Sequence, residues 1–173
     1  MDRLGGGGRG SWFAVALGLT VAASSAAAQQ SQVEAHGSYV RTTQSHSSSW
    51  GAGAQLNTNW GSKQAPVQFS SSEGLDWTKQ ENDGPSTTSL GLDLSIQPGG
   101  GGVFTPYAGG GVSANWVSKN APSGALLGLE YLAGAYYKLE AQGKVALHAE
   151  VRSGYVRTQE HTVTGRFGVA FSI

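Results

Sequence analysis

The sequence predicts an all-β fold, an eight-stranded antiparallel up-and-down barrel, and three observations predict it. Apolar residues recur at every second position in stretches of about ten residues, the connections between the stretches are short, and no stretch after the first thirty residues keeps a helical period. Short connections between strands make neighbours antiparallel.

The first thirty residues stand apart. MDRLGGGGRGSWFAVALGLTVAASSAAAQQ places Arg3 and Arg9 before an apolar run from Phe13 to Ala23 and a small-residue stretch ending Ala26-Ala27-Ala28. This is the pattern of a cleaved secretory signal peptide over 1–28, and the apolar run is shorter than the ~20 residues that a helix needs to cross a bilayer. The barrel is then expected over 29–173.

The elements follow in order. VEAHGSYVR, at the start of a strand over 33–42, sets Val33, Ala35, Gly37 and Tyr39 against Glu34, His36 and Ser38. In WGAGAQLNTNW, 50–60, Trp50, Ala52, Ala54, Leu56, Thr58 and Trp60 share a face, with Gly51, Gly53, Gln55, Asn57 and Asn59 opposite. The third strand, 66–78, is the least regular, because its apolar face (Val67, Phe69, Leu75, Trp77) also carries Glu73. A bulge near Ser70 to Glu73, or a rim position for Glu73, is expected there.

SLGLDLSIQ, in 88–97, aligns Leu90, Leu92, Leu94 and Ile96 opposite Asp93. FTPYAGGGVSANW, in 104–117, aligns Phe104, Val112 and Trp116 opposite Tyr107. The strand over 125–139 aligns Leu127, Leu129, Tyr131 and Tyr137 opposite Glu130, Tyr136 and Lys138. In 144–157, Val145, Leu147, Val151 and Tyr155 oppose His148, Glu150 and Arg152. In 162–173, Phe167, Val169, Phe171 and Ile173 oppose Arg166.

Alternation does not say which face looks outward; composition does. Charged residues are 13% of the chain, its formal net charge is zero, and the polar faces are mostly Gly, Ser, Asn, Thr and Gln. A face washed by water normally carries many Lys and Glu, whereas small polar residues suit the crowded lumen of a narrow barrel. Aromatic residues near strand ends, Trp50, Trp60, Phe104, Trp116, Tyr137, Tyr155 and Phe167, are placed as two girdles at the edges of an apolar band. The reading is a barrel with its apolar face in lipid and its polar face inside. Closure is obligatory there, because an open edge would leave backbone groups unpaired in hydrocarbon. There is no cysteine and no basic footprint for nucleic acid, so neither disulfides nor a nucleic-acid partner is expected.

FTPYAGGGVSANW, LEYLAGAYYKLEAQGKVALHAEVR and TVTGRFGVAFSI together resemble the small outer-membrane β-barrel family that includes the OmpA-type transmembrane domain and the opacity-type porins. The resemblance covers about the last seventy residues, and its motifs are degenerate. It implies a bacterial outer-membrane location, a monomer with both termini in the periplasm, lipid as surroundings, and delivery by the barrel-insertion machinery through the C-terminal strand. The family's strand usually ends in Phe or Trp; here the last residue is Ile173, with Phe167 and Phe171 keeping the aromatic spacing.

The polar face collects Glu34, His36, Asp93, Glu130, Lys138, His148, Glu150, Arg152 and Arg166. Hairpin geometry brings Glu130 near Arg152, and Glu150 and Arg152 near Arg166. Glu130, Glu150, Arg152, Arg166, Lys138 and Asp93 are therefore expected to form an ion-pair network in the lumen. No catalytic set, metal-ligand spacing or cofactor motif is present: the four histidines are scattered, and the serines beside His46 lie in a hydrophilic loop. A structural or surface-interaction barrel is the expected function. A small low-conductance pore is the alternative, and a lipid-modifying outer-membrane enzyme or a secreted soluble ligand-binding barrel is more remote.

Overall fold

The computed structural model describes residues 30–62, 64–118, 125–139, 144–156 and 161–173. The expected signal peptide, and most of the loops after the fifth, sixth and seventh strands, lie outside these residues. Eight strands form a closed barrel: β1 (Gln30–Thr42), β2 (Ser48–Trp60), β3 (Val67–Gln80), β4 (Ser86–Pro98), β5 (Phe104–Val117), β6 (Leu126–Lys138), β7 (Val145–Val156) and β8 (His161–Ser172). Each pairs antiparallel with its neighbours in sequence, and β1 closes against β8. The beginning of β1 and the end of β8 lie at one end, here the lower, shown by the pairing of Gln32 with Ser172.

Register fixes the tilt. Stepping from Gln32 through its partners Asn57, Ser72, Asp93, Gly111, Glu130, Gly154 and Thr162 returns to β1 at Thr42, ten residues beyond the start. A stagger of ten in eight strands tilts them by roughly 40° and leaves a lumen that side chains can fill. At the upper end, Asn82 and Asp83 turn with φ of 57° and 55°, the left-handed pair that a tight hairpin requires.

The distribution of side chains is that of a soluble protein turned inside out. Among the described residues only Tyr107, Leu132, Ala146 and Ala170 are buried hydrophobic residues, while the buried polar set includes Glu34, His36, Asp76, Asp93, His148, Glu150, Arg152 and Arg166. Leu94, Leu127, Leu129, Tyr131, Val151 and Phe167 stand exposed. A continuous apolar surface around a charged interior is unfavourable in water and favourable in hydrocarbon.

Six of the seven aromatic residues expected in girdles occupy strand ends. Trp60, Phe104 and Tyr137 lie at the lower rim, and Trp50, Trp116 and Tyr155 at the upper. The Trp50 indole donates to Glu81 Oε1 at 2.9 Å and packs on Tyr39 at 4.5 Å between ring centroids. The Trp60 indole donates to Ser71 Oγ at 3.0 Å. Phe167 is the exception. It sits in the middle of β8, opposite Gly37 and Ala149, exposed on the outer face.

The expectation for Glu73 needs correction. The β3 register runs unbroken from Val67 to Lys79, so there is no bulge, and Glu73 is not at a rim. It is the seventh of fourteen residues in β3, on the outward face between Leu56 and Leu92. Serines at 70, 71 and 72 support the strand without interrupting it.

Candidate functional site: a polar network across the lumen

Arg152 on β7 is the hub. Its Nε donates to Glu150 Oε1 at 2.5 Å, one terminal nitrogen to Asp93 Oδ2 at 2.7 Å, and the other to Glu130 Oε2 at 3.2 Å. Three carboxylates thus surround one guanidinium, whose planar fork suits such recognition. Arg166 on β8 bridges onward, donating to Glu150 Oε1 at 3.4 Å and to Asp76 Oδ2 at 2.5 Å.

Below this layer lies a second. Glu34 is fully buried and accepts from Gln55 Nε2 at 3.0 Å and from the Tyr136 hydroxyl at 3.3 Å. His148 bridges the two layers, with Nδ1 2.5 Å from Glu34 Oε1 and Nε2 2.5 Å from the Tyr107 hydroxyl, which also donates to Glu150 Oε2 at 2.6 Å. His36 Nε2 bonds Asp76 Oδ1 at 2.8 Å. Its Nδ1 lies 3.3 Å from Glu34 Oε1 but lacks hydrogen-bond geometry, so this contact is electrostatic only. Tyr107, Tyr136 and His148 stack with centroids 4.6 to 5.9 Å apart. Every strand contributes: Glu34 and His36 from β1, Gln55 from β2, Asp76 from β3, Asp93 from β4, Tyr107 from β5, Glu130 and Tyr136 from β6, Glu150 and Arg152 from β7, and Arg166 from β8.

Glycines make room for these side chains. Gly53 and Gly168 flank His36 across the sheet, Gly111 pairs with Asp93, and Gly134 with Glu150. A Cβ on Gly53 would come within 2.6 Å of both Asp76 Oδ1 and His36 Nε2, and one on Gly134 within 2.6 Å of the Tyr107 hydroxyl. A Cβ on Gly111 would overlap the Asp93 carboxylate. Large polar side chains therefore face hydrogen atoms across the ladder, which accounts for much of the glycine on the inner face.

Above the network a cavity of about 350 Å³ occupies the upper half of the barrel. Hydroxyls of Ser38, Thr42, Ser47, Thr78 and Thr164 line it, and Asp76, Glu130, Arg152 and Arg166 form its floor. Below, Ser70 bonds Ser95 at 2.7 Å and Gln97 donates to Asn59 at 3.1 Å. Polar contacts thus continue across the lower lumen.

Of the six residues expected in the network, Asp93, Glu130, Glu150, Arg152 and Arg166 come together. Lys138 does not: it ends β6 at the lower rim, and its Nζ donates to the Gly101 carbonyl at 2.8 Å. Sharing a face is not enough, because Lys138 lies eight residues along the strand from Glu130. Seven participants lie outside those six: Glu34, His36 and His148, which the sequence places on the polar face but not in the network, and Asp76, Gln55, Tyr107 and Tyr136. The signal that could have found the tyrosines is an aromatic ring at a polar-face position, where a hydroxyl can bridge two charged groups.

The remaining histidines do not extend this site. His46 Nδ1 contacts the Gln44 carbonyl at 3.0 Å within its own turn. His161 Nε2 lies 3.0 Å from Ser153 Oγ on the outer face near the upper rim. Acyl transfer by such a pair also needs a group that orients the imidazole, and among the described residues no carboxylate does so.

No family model matches the sequence, and no curated protein does. Solved structures match its fold. Neisserial surface protein A (NspA) is 19% identical over 83% of this chain and 96% of its own, with a TM-score of 0.53. Ail, the attachment invasion locus protein of Yersinia pestis, is 11% identical over 83% and 97%, with a TM-score of 0.54. The outer membrane enzyme PagL is 13% identical over 81% and 98%, with a TM-score of 0.52. At these identities the likeness is one of fold, the small eight-stranded barrel of outer membranes, which carries both a surface protein and an enzyme among these three.

Proposed function

We propose that this chain is a structural or surface-interaction protein of a bacterial outer membrane, exported by a cleaved signal peptide, and that its lumen is a plug rather than a path. The observation that carries the reading is the placement of charge. Side chains from all eight strands meet across the lumen through hydrogen bonds and ion pairs, while the outer face is apolar between aromatic rims. A network so widely anchored holds the strands to one another through the interior, where a narrow barrel has little apolar material to pack. The amphipathic β8, with Phe167, Val169, Phe171 and Ile173 on one face, is the segment offered to the barrel-insertion machinery. The upper hairpins and the hydroxyl-lined cavity are the parts presented outside the cell.

The pore reading differs in one measurable respect. Purified protein in planar bilayers is expected to give no steady conductance above the bare membrane, because the Arg152 and Arg166 bridges cross the lumen. A steady open level in the unaltered protein would replace the plug with a small channel.

A further inference from the structure

Among the described residues, the charges outside the network lie near the rims, with one exception. Glu73 is on the outward face of β3, halfway along the strand, between Leu56 and Leu92. No hydrogen bond or ion pair joins it to any described residue. An ionisable side chain facing lipid near mid-span is costly and calls for a partner supplied from outside the barrel.

The outer surface beside it is shallow. Ala52 and Ala54 on β2 and Ala35 and Gly37 on β1 face outward next to one another, so another molecule can approach the backbone closely there. Insertion in one orientation adds a geometric constraint. Two copies related by a two-fold axis along the membrane normal present every residue at the same depth as its counterpart, and a symmetric contact joins like to like. A carboxyl group is suited to that arrangement, because a pair sharing at least one proton supplies both donor and acceptor. Leu56, Leu75 and Leu92 around it offer no such group.

We infer that the β2–β3 face is a self-association surface, where Glu73 of one copy hydrogen-bonds Glu73 of a second within the membrane. A closed barrel has no free strand edge to force pairing, which is why a monomer is the simple expectation; the lone carboxyl is what displaces it. The inference rests on the membrane reading proposed above.

The chain has no cysteine, so single reporters are clean. Ala54→Cys would sit on the same outer face, opposite Leu75 and diagonal to Glu73, and Ala133→Cys, exposed on β6, reports the opposite side of the barrel. Membranes carrying either protein are treated with a short bismaleimide and the dimer fraction is read. Dimer at position 54 is expected to exceed that at 133 by about fivefold or more, the scale of one hydrogen bond formed within a membrane. Glu73→Gln, which keeps a donor and an acceptor, should retain the excess, and Glu73→Leu, which suits a lipid face and does not threaten folding, should abolish it. Equal cross-linking at both positions, or an excess that survives Glu73→Leu, would overturn the inference while leaving the membrane reading intact. Recovery of the unaltered protein in the soluble fraction would overturn both.

Discussion

Arg152→Ala is expected to lower the unfolding free energy by about 3–5 kcal/mol, the usual cost of removing one partner from a buried charged cluster. The geometry says which carboxylate suffers most. Glu150 keeps Tyr107 and Arg166 as donors, and Glu130 is the most exposed of the three, at 20% of its side chain. Asp93 has no other ionic partner among the described residues: Arg152 holds Oδ2, and Oδ1 is already buried without a hydrogen bond. Removing the guanidinium therefore strands a buried carboxylate at position 93. Arg152→Ala/Asp93→Asn should recover more of the loss than Arg152→Ala/Glu130→Gln, and a double-mutant cycle measures the difference. Lys79→Ala, which removes only an exposed pair with Asp83 at 3.8 Å, is the control and should change little. Urea unfolding of the refolded barrel in detergent reads these four variants, the unaltered protein and the single mutants Asp93→Asn and Glu130→Gln that complete the cycles. Additive effects at 152 and 93 would mean that the short contact carries no coupling.

The second large effect concerns the outer face. Val151→Arg puts a charge at mid-strand on β7, between Ala133 and Gly165, and is expected to cost about 2–4 kcal/mol in lipid. Leu92→Arg sits at a similar depth but directly opposite Glu73. An arginine there meets a carboxyl that no described residue of its own barrel partners, so Leu92→Arg should cost measurably less than Val151→Arg. Gly91→Ser, one residue away but turned inward, has open space around it and should be tolerated. Unfolding titrations in lipid vesicles distinguish these three variants from the unaltered protein and from one another. If 91 and 92 tolerate substitution alike, inside and outside have been exchanged.

These predictions show what the chain states locally and what it does not. The eight strands were legible because period-two alternation is a property of neighbouring residues. Their ends were not: β2 and β4 begin two residues earlier than the alternation, at Ser48 and Ser86, where runs of serine and threonine lack an apolar marker. Within the site, contacts between adjacent strands could be read from the hairpins. Glu150 and Arg166 are direct cross-strand partners, and Glu130 lies diagonally from Arg152. Contacts across the lumen could not. Arg152 to Asp93, Arg166 to Asp76 and His148 to Glu34 depend on barrel diameter and stagger, quantities that arise only when β1 meets β8. Lys138 failed for the same reason, since a shared face says nothing about depth. Glu73 is the instructive case, because alternation placed it on the lipid face correctly and the wish to spare it from lipid suggested a bulge that does not exist.

The central claim is that the apolar face of this barrel lies in a membrane, and one measurement tests it most directly. Cells expressing the full chain are broken and separated into soluble periplasm, inner membrane and outer membrane, and the protein is followed by antibody. Recovery in the outer membrane, resistant to salt and alkaline washing and released only by detergent, is the predicted result. Recovery in the soluble periplasm without detergent would contradict it, because the exposed leucines, valines and aromatic rings of this surface would then be facing water.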